Sequence, residues 1–334
     1  MKKNLPYLIL ALVLGCAAYF LWNSDKDGGH ALSDFAIEDT SKVGRIRIDD
    51  GQGGIVDLKR GAGKFWTLNE TYKAQPHQIN LLLKTFIRAG VQSPVASSAR
   101  ENVMKIILGD NRKVEVFDRE GTWIKTWYVG RSTQNNQGTF AILETPEDGL
   151  SEEPCIIEQR GFRGYLTTRF HAIIKDWRWT GIFYHPKLDI REVKMETPKR
   201  PANGFSINIP ADRMEKMSMM DISGKDVPVS MIDISTYVEQ FKGLYFESFE
   251  SGLTEAQEDS VLALLPDCRV TVIDSNGKEE SCDIYFKTAP EIFNGSTVTI
   301  DPERVYLFSN GDLGKGQTLT WSGVIKGKAD FPVQ

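Results

Sequence analysis

The chain has 334 residues, 41% of them apolar and 25% charged, with a mean hydropathy of -0.30, the composition of an ordinary folded protein of about two domains. These proportions exclude a disordered chain, a collagen-like repeat, a small disulfide scaffold and a polytopic membrane fold. A formal net charge of -5 supplies no global cationic field, which argues against nucleic acid as a partner.

The apolar residues are unevenly spread. Residues 1–4 (Met-Lys-Lys-Asn) precede an uncharged run from Leu5 to Trp22, and Asp25, Lys26 and Asp27 follow it. At about 1.5 Å per residue, such a run just crosses a ~30 Å hydrocarbon layer. The two leading lysines place the N-terminus in the cytoplasm and the rest outside it, and Tyr19 and Trp22 suit an interfacial aromatic belt. The expectation is an uncleaved single-pass anchor at residues 5–22 with a polar, Gly-containing tether over 23–40. Two alternatives share the same residues. Gly15-Cys16-Ala17-Ala18 offers small residues for signal cleavage, and Val13-Leu14-Gly15-Cys16 has the form of a lipobox with Cys16 as the lipidated residue. The apolar continuation Tyr19-Phe20-Leu21-Trp22 favours retention of the segment.

Beyond the tether the pattern is strand-like. Val43, Ile46 and Ile48 lead to a glycine turn at Gly51–Gly54, then Ile55 to Leu58, a second turn at Gly61–Gly63, and Phe65 to Leu68. Pro76 opens a helix in which Ile79, Leu82, Leu83 and Phe86 recur at helical spacing, with Gly90 as its end. A loop through Pro94 then precedes expected strands at Lys105–Leu108, Val114–Phe117, Trp123–Val129 and Phe140–Leu143, with an Asp118-Arg119-Glu120-Gly121 turn after the second.

This order recurs about 155 residues later. Ile234, Tyr237, Val238 and Phe241 repeat the helical spacing, and Val270 to Asp274 followed by Gly277 repeats the hairpin. The expected fold is α+β: two tandem, duplicated antiparallel sheet-plus-helix units over 41–150 and 189–334, joined by an aromatic connector over 151–188. The connector holds Trp177, Trp179, Phe183 and Tyr184, the candidate contacts for a ligand or partner. If Trp177 and Trp179 share a strand, they point to one face and form a stacking platform; the alternative is a core that joins two domains.

The succession of a Trp-x-Leu strand (Trp66-Thr67-Leu68), Tyr72, the apolar helix, the Asp-x-x-Gly hairpin, the aromatic connector ending in Ile182-Phe183 and the Ile190-x-x-Val193 strand resembles the domain of unknown function 4340 family. The second unit departs from that pattern, with Phe205 to Ile209 in place of Trp-x-Leu and a Met-rich insertion from Met214 to Met220. The resemblance implies a bacterial inner-membrane protein with its body in the periplasm, encoded in some genomes beside transporter subunits, and it implies no catalytic residue.

Chemistry-bearing motifs are sparse. His171 and His185, with Asp176 and Asp189 nearby, have the atom types of an oxygen-nitrogen metal site, but their spacing does not share a helix face. Gly311 to Thr318 resembles a phosphate loop without its spacing and reads instead as a turn before an expected strand at Leu319–Trp321; neither a Gly-x-Ser-x-Gly elbow nor an HExxH pair occurs. Cys155, Cys268 and Cys282 lack zinc spacing, and Cys268 and Cys282 occupy two arms of one hairpin, where a bridge is conceivable. Glu247, Glu250, Glu255, Glu258 and Asp259 read as a solvated acidic face, or as a weak attractor for a basic partner or a divalent ion. The reading is a non-catalytic, membrane-anchored extracytoplasmic module that takes no cofactor and binds an envelope protein, such as a transporter subunit. The alternatives are a glycan- or peptide-binding protein using the connector, and a metal-dependent enzyme using the two histidines.

Overall fold

The computed structural model describes residues 34–212, 217–288, 292–293, 296–297 and 299–332. The expected anchor at 5–22, its alternative lipidation residue Cys16 and most of the tether lie outside them. Among the described residues no helix is long and apolar enough to cross a membrane. The protein is α+β with mostly antiparallel sheets, and it divides into two units at Trp179/Thr180, inside the stretch expected to connect them.

In the first unit, β1 (Val43–Asp49), β2 (Ile55–Arg60), β3 (Trp66–Leu68) and β4 (Tyr72–Lys73) form a meander. Helix α1 (Pro76–Arg88) leads to β5 (Ala89–Pro94), then α2 (Ser97–Gly109). Strands β6 (Arg112–Asp118), β7 (Trp123–Ser132), β8 (Thr139–Thr145), β9 (Gly149–Leu150) and β10 (Cys155–Gln159) complete one antiparallel sheet in the order β4-β3-β2-β1-β6-β7-β8-β10-β5, with β9 on β8. Alternation decides the faces. Ile46 and Ile48 point into the core, while Arg45 and Arg47, which alternate with them, pair with Asp57 and Glu115 at 2.8 Å on the other side. α1 buries Ile79, Leu82, Thr85 and Phe86, and the Phe86 ring meets Trp127 of β7 edge-on at 5.0 Å. Tyr128, the next residue of β7, belongs instead to the cluster under α2, with Val103, Ile107 and Ile142. The sheet thus carries a helix on each face. The buried Lys125 ammonium binds the Asp34 carboxylate at 2.9 Å and the Ala36 carbonyl at 3.0 Å, tying the start of the described chain to β7.

Two local expectations are corrected here. Lys105–Leu108 is the last turn of α2 and not a strand. The adjacent apolar residues Ile106, Ile107 and Leu108 resemble a buried strand, but only Val103 and Ile107, four apart, reach the core. Gly90 does not end α1, which stops at Arg88; the glycine sits in edge strand β5, and the expected loop through Pro94 is that strand.

After the short helix α3 (Ile174–Trp177), the second unit opens with β11 (Gly181–Phe183), β12 (Ile190–Glu196), β13 (Phe205–Asn208) and β14 (Ser218–Asp221). Helix α4 (Met231–Glu239), β15 (Leu244–Tyr245), β16 (Ser248–Phe249) and α5 (Glu255–Leu262) follow. Next come β17 (Cys268–Asp274), β18 (Glu279–Thr288), the ribbon of β19 (Ile292–Phe293) and β20 (Ser296–Thr297), β21 (Ile300–Ser309), β22 (Asp312–Gln317) and α6 (Thr318–Trp321). The main sheet runs β14-β13-β12-β17-β18-β21-β22-β16, all antiparallel. α4 covers it with Ile234, Tyr237 and Val238, and Phe241 follows on the same core. The Tyr237 hydroxyl donates to the Val324 carbonyl at 3.0 Å.

The first strands of the two sheets share a detail. β1 bulges between Val43, opposite Asp118, and Arg45, opposite Phe117; β12 bulges between Ile190, opposite Asp274, and Glu192, opposite Ile273. The Asp118 and Asp274 carboxylates each accept two backbone N–H groups of the following turn, and Gly121 and Gly277 supply its positive φ at 88° and 83°.

The glycine-rich segment expected to be a turn before a strand is strand β22 followed by the helical turn α6. Its alternating glycines answer to packing. A Cβ on Gly314 would lie 2.3 Å from the Phe246 ring, and one on Gly316 would lie 2.5 Å from Leu307 and 2.7 Å from the Trp321 indole. Replacing Gly314 by Ala is expected to cost about 1–2 kcal/mol, measured as a lowered urea midpoint with an unchanged m-value.

Candidate functional site

The connector aromatics do not form one surface. Trp177 ends α3 and lies fully inside the first core, its indole N–H donating to the His171 carbonyl at 2.9 Å. Trp179 is half-buried, its ring 5.0 Å from Phe65, and its backbone N–H donates to the Lys73 carbonyl at 2.8 Å. The two tryptophans share no strand, so the condition for a stacking platform is unmet. Phe183, at the end of β11, is buried in the second core against Phe241, 5.5 Å away and edge-on. Tyr184 after it is half-buried.

The two candidate metal histidines have separate local partners. The His171 ring stacks on Trp177 at 5.1 Å, and its Nδ1 lies 4.0 Å from Asp176, beyond hydrogen-bond reach. Burial holds its pKa below the ordinary imidazole value, with Asp176 opposing weakly. His185 is buried in the second unit between two carboxylates, with Nδ1 at 3.2 Å from Asp189 and Nε2 at 3.0 Å from Glu280. Its hydrogen bond to Glu280 raises its pKa despite burial, and the same bond holds the Glu280 carboxyl down at about 2. Lys278 pairs with the other oxygen of Glu280. Both ring nitrogens therefore face acceptors, an arrangement that holds a proton. Among the described residues no group of three or more His, Cys, Asp or Glu side chains has the geometry to hold a metal ion.

The conceivable bridge between Cys268 and Cys282 is not formed. Cys268 stands opposite Ile284 and Cys282 opposite Val270, so the thiols are displaced by two residues along the hairpin, and both are free. Burial pushes the Cys268 thiol up to about 11 and also raises that of Cys282 well above its ordinary value, which suits inert core residues.

The acidic run is also divided. Glu247 pairs with Arg304 at 2.8 Å, and Glu250 is buried, accepting from the Ser251 and Gly252 N–H groups and lying 3.0 Å from Lys315. The acidic side chains of α5 itself are Glu255, Glu258 and Asp259. α5 is a locally specified helix. Thr254 and Gln257 form a reciprocal capping box, and Glu255 and Glu258 favour the positive end of its dipole. None of its residues is buried, and it leads directly into Leu264 and Leu265, which are 59% and 56% exposed. α2, at the same place in the order of the first unit, buries Val103 and Ile107 against its sheet. Nothing in the sequence distinguishes these leucines from core residues, because exposure is set by what the rest of the fold brings to them.

A groove of about 350 Å³ lies in the second unit, lined by Lys199, Arg200, Phe286, Ile300 and Lys326 among others. Several of its polar groups are engaged: Lys199 pairs with Asp267 at 2.7 Å, and Asp330 accepts the Gly327 N–H at 2.7 Å. The Met-rich insertion falls partly outside the described residues. Met219, on edge strand β14, is buried, and Met217 packs partly on the core.

Protein-family models, curated proteins and solved structures were each compared with this chain, and none matched.

Proposed function

We propose that this protein is a non-catalytic, membrane-anchored extracytoplasmic module whose second unit docks a protein partner at α5. The observation that carries this reading is the exposed Leu264-Leu265 pair beside a helix that buries none of its own side chains. Apolar leucines next to Glu255, Glu258 and Asp259 suit a partner segment with an apolar stripe and basic flanks. The anchor, the periplasmic location and a transporter subunit as the partner come from the apolar N-terminus and from the resemblance to the domain of unknown function 4340 family.

Duplication of one ancestral unit belongs to the same proposal. Its support is the common sheet order, the bulge at the same step of each first strand, and the Asp-x-x-Gly turn closed by the same pair of hydrogen bonds. After duplication, a helix that covers a sheet in one copy is free to cover a partner in the other.

The test is crosslinking of the full chain in native membranes followed by identification of its neighbours. The Leu264→Ser/Leu265→Ser variant is expected to lose the crosslinked partner while shifting stability by under about 1 kcal/mol, because the side chains it removes are exposed. Failure to recover any reproducible protein neighbour, or an undiminished crosslink in the variant, overturns the reading.

A further inference from the structure

We infer that the first unit carries a separate lipid-facing surface, an arginine and aromatic patch at the C-terminal end of α1 and the segment after β10, which rests on anionic headgroups. The segment reads Arg160-Gly161-Phe162-Arg163-Gly164-Tyr165, with Arg169 four residues further on. Gly161 and Gly164 have φ of 78° and 137°, and these turns hold the intervening residues on the surface.

Hydrogen bonds dock the segment to α1. The Arg160 N–H donates to the Arg88 carbonyl at 2.9 Å, and the Arg160 side chain lies over Gly90, its Nε 3.6 Å from where a Cβ would be. Arg169 donates to Thr85 of α1 at 2.7 Å and to Gln159, and its guanidinium stacks on the Phe162 ring at 4.3 Å. Among the described residues, none of Arg88, Arg160, Arg163 and Arg169 has a carboxylate within ion-pair distance. Elsewhere in the unit Arg45, Arg47, Arg100, Arg112 and Arg131 each have one, while Arg60 and Arg119 donate to backbone carbonyls instead. The nearest acidic residues in the chain, Glu158 and Asp176, make no ion pair with the four. In a protein of net charge -5, the exposed Arg88, Arg160 and Arg163, beside a half-buried Arg169 held by Thr85 and Gln159, are a local field of opposite sign.

The apolar residues among them select the partner. Ile87, Phe162 and Tyr165 are 47%, 39% and 37% exposed. Exposed Phe162 and Tyr165 suit a nucleic-acid base as well as a bilayer, but Ile87 offers no stacking face, whereas a bilayer interface accepts aromatic and aliphatic groups alike between headgroups that pair with arginine. The position fits as well. On the membrane reading of residues 5–22, on which this proximity rests, residues 23–33 extend to at most roughly 40 Å, so the unit stays beside the bilayer.

The test uses the full chain reconstituted in vesicles of phosphatidylcholine alone, or mixed with phosphatidylglycerol, and reads hydrogen exchange of residues 160–175 together with flotation. The expected result is slower exchange of this segment in the anionic vesicles only, lost in ~1 M salt and in the Arg160→Gln/Arg163→Gln variant. Each arginine near an anionic surface contributes about fivefold, so the pair is expected to weaken the contact about twenty-fivefold. Flotation on both vesicle types with unchanged exchange overturns the lipid-facing surface while leaving the anchor intact. Flotation on anionic vesicles alone, abolished by the double variant, supports the surface and overturns the anchor. Equal protection by a soluble polyanion without vesicles overturns the lipid assignment in favour of a nucleic-acid or acidic-protein partner.

Discussion

Replacing Trp177 by Ala is expected to destabilise the first unit by about 3–5 kcal/mol, the cost of emptying the site of a large buried aromatic. The indole packs in the same core as Leu166, Phe170 and Ala172, and its N–H satisfies the His171 carbonyl, which the truncation leaves without that donor. Trp179→Ala removes a half-buried ring that lies 5.0 Å from Phe65, and is expected to cost only about 1 kcal/mol. Urea unfolding of the two variants measures the contrast. A Trp177 variant with near-native stability and abolished glycan or peptide retention would instead return this residue to a binding role.

Replacing Glu280 by Ala is expected to cost the second unit about 2–4 kcal/mol near neutral pH, because the buried His185 ring loses one of its two carboxylates. The pH dependence has a definite sign. His185 has a folded pKa above the ordinary value of 6.5, so its stabilisation is complete below that value and fades as pH rises through the folded pKa. Glu280 is held down at about 2 from 4.5, so its share is present above 4.5 and lost as pH falls through about 2. The pair therefore stabilises the second unit most between those two ordinary values, and Glu280→Ala is expected to flatten the profile at both ends. His171 acts in the opposite direction in the first unit. Its pKa is lowered by burial, so acidification below 6.5 weakens that unit while the His185 pair still strengthens the other. Unfolding curves recorded from pH 2 to 8, with His171 and His185 followed by their ring resonances, measure these trends.

Elements with strong periodicity were legible without the fold. α1 and α4 follow from apolar residues at helical spacing, and the β6–β7 and β17–β18 hairpins from alternation ended by Asp-x-x-Gly. α2 is hard to read from its sequence because a helix with two buried core residues and a run of three apolar residues has no clear period. β22 reads as a turn because glycine is a turn former, whereas in the fold Phe246, Leu307 and Trp321 occupy the space side chains would need.

The candidate sites were less legible. Trp177 and Phe183, six residues apart, belong to different cores, a division that local composition does not encode. The His185–Glu280 contact spans 95 residues and depends on the loop before β12 meeting the β17–β18 hairpin. The acidic run lost Glu247 and Glu250 to Arg304 and Lys315, cations supplied from β21 and β22.

By itself the sequence determined the α+β class, the helices and hairpins with a clean period, and the Asp-x-x-Gly turns, because each rests on interactions within a few residues. Only the tertiary structure decided which aromatics are core, which carboxylates are paired, that Cys268 and Cys282 stay apart, and that the leucines after α5 and the arginines after β10 stand exposed. Those properties depend on which distant groups the sheet register brings within a few ångströms, and burial and pairing are relations between segments that no single stretch of chain contains.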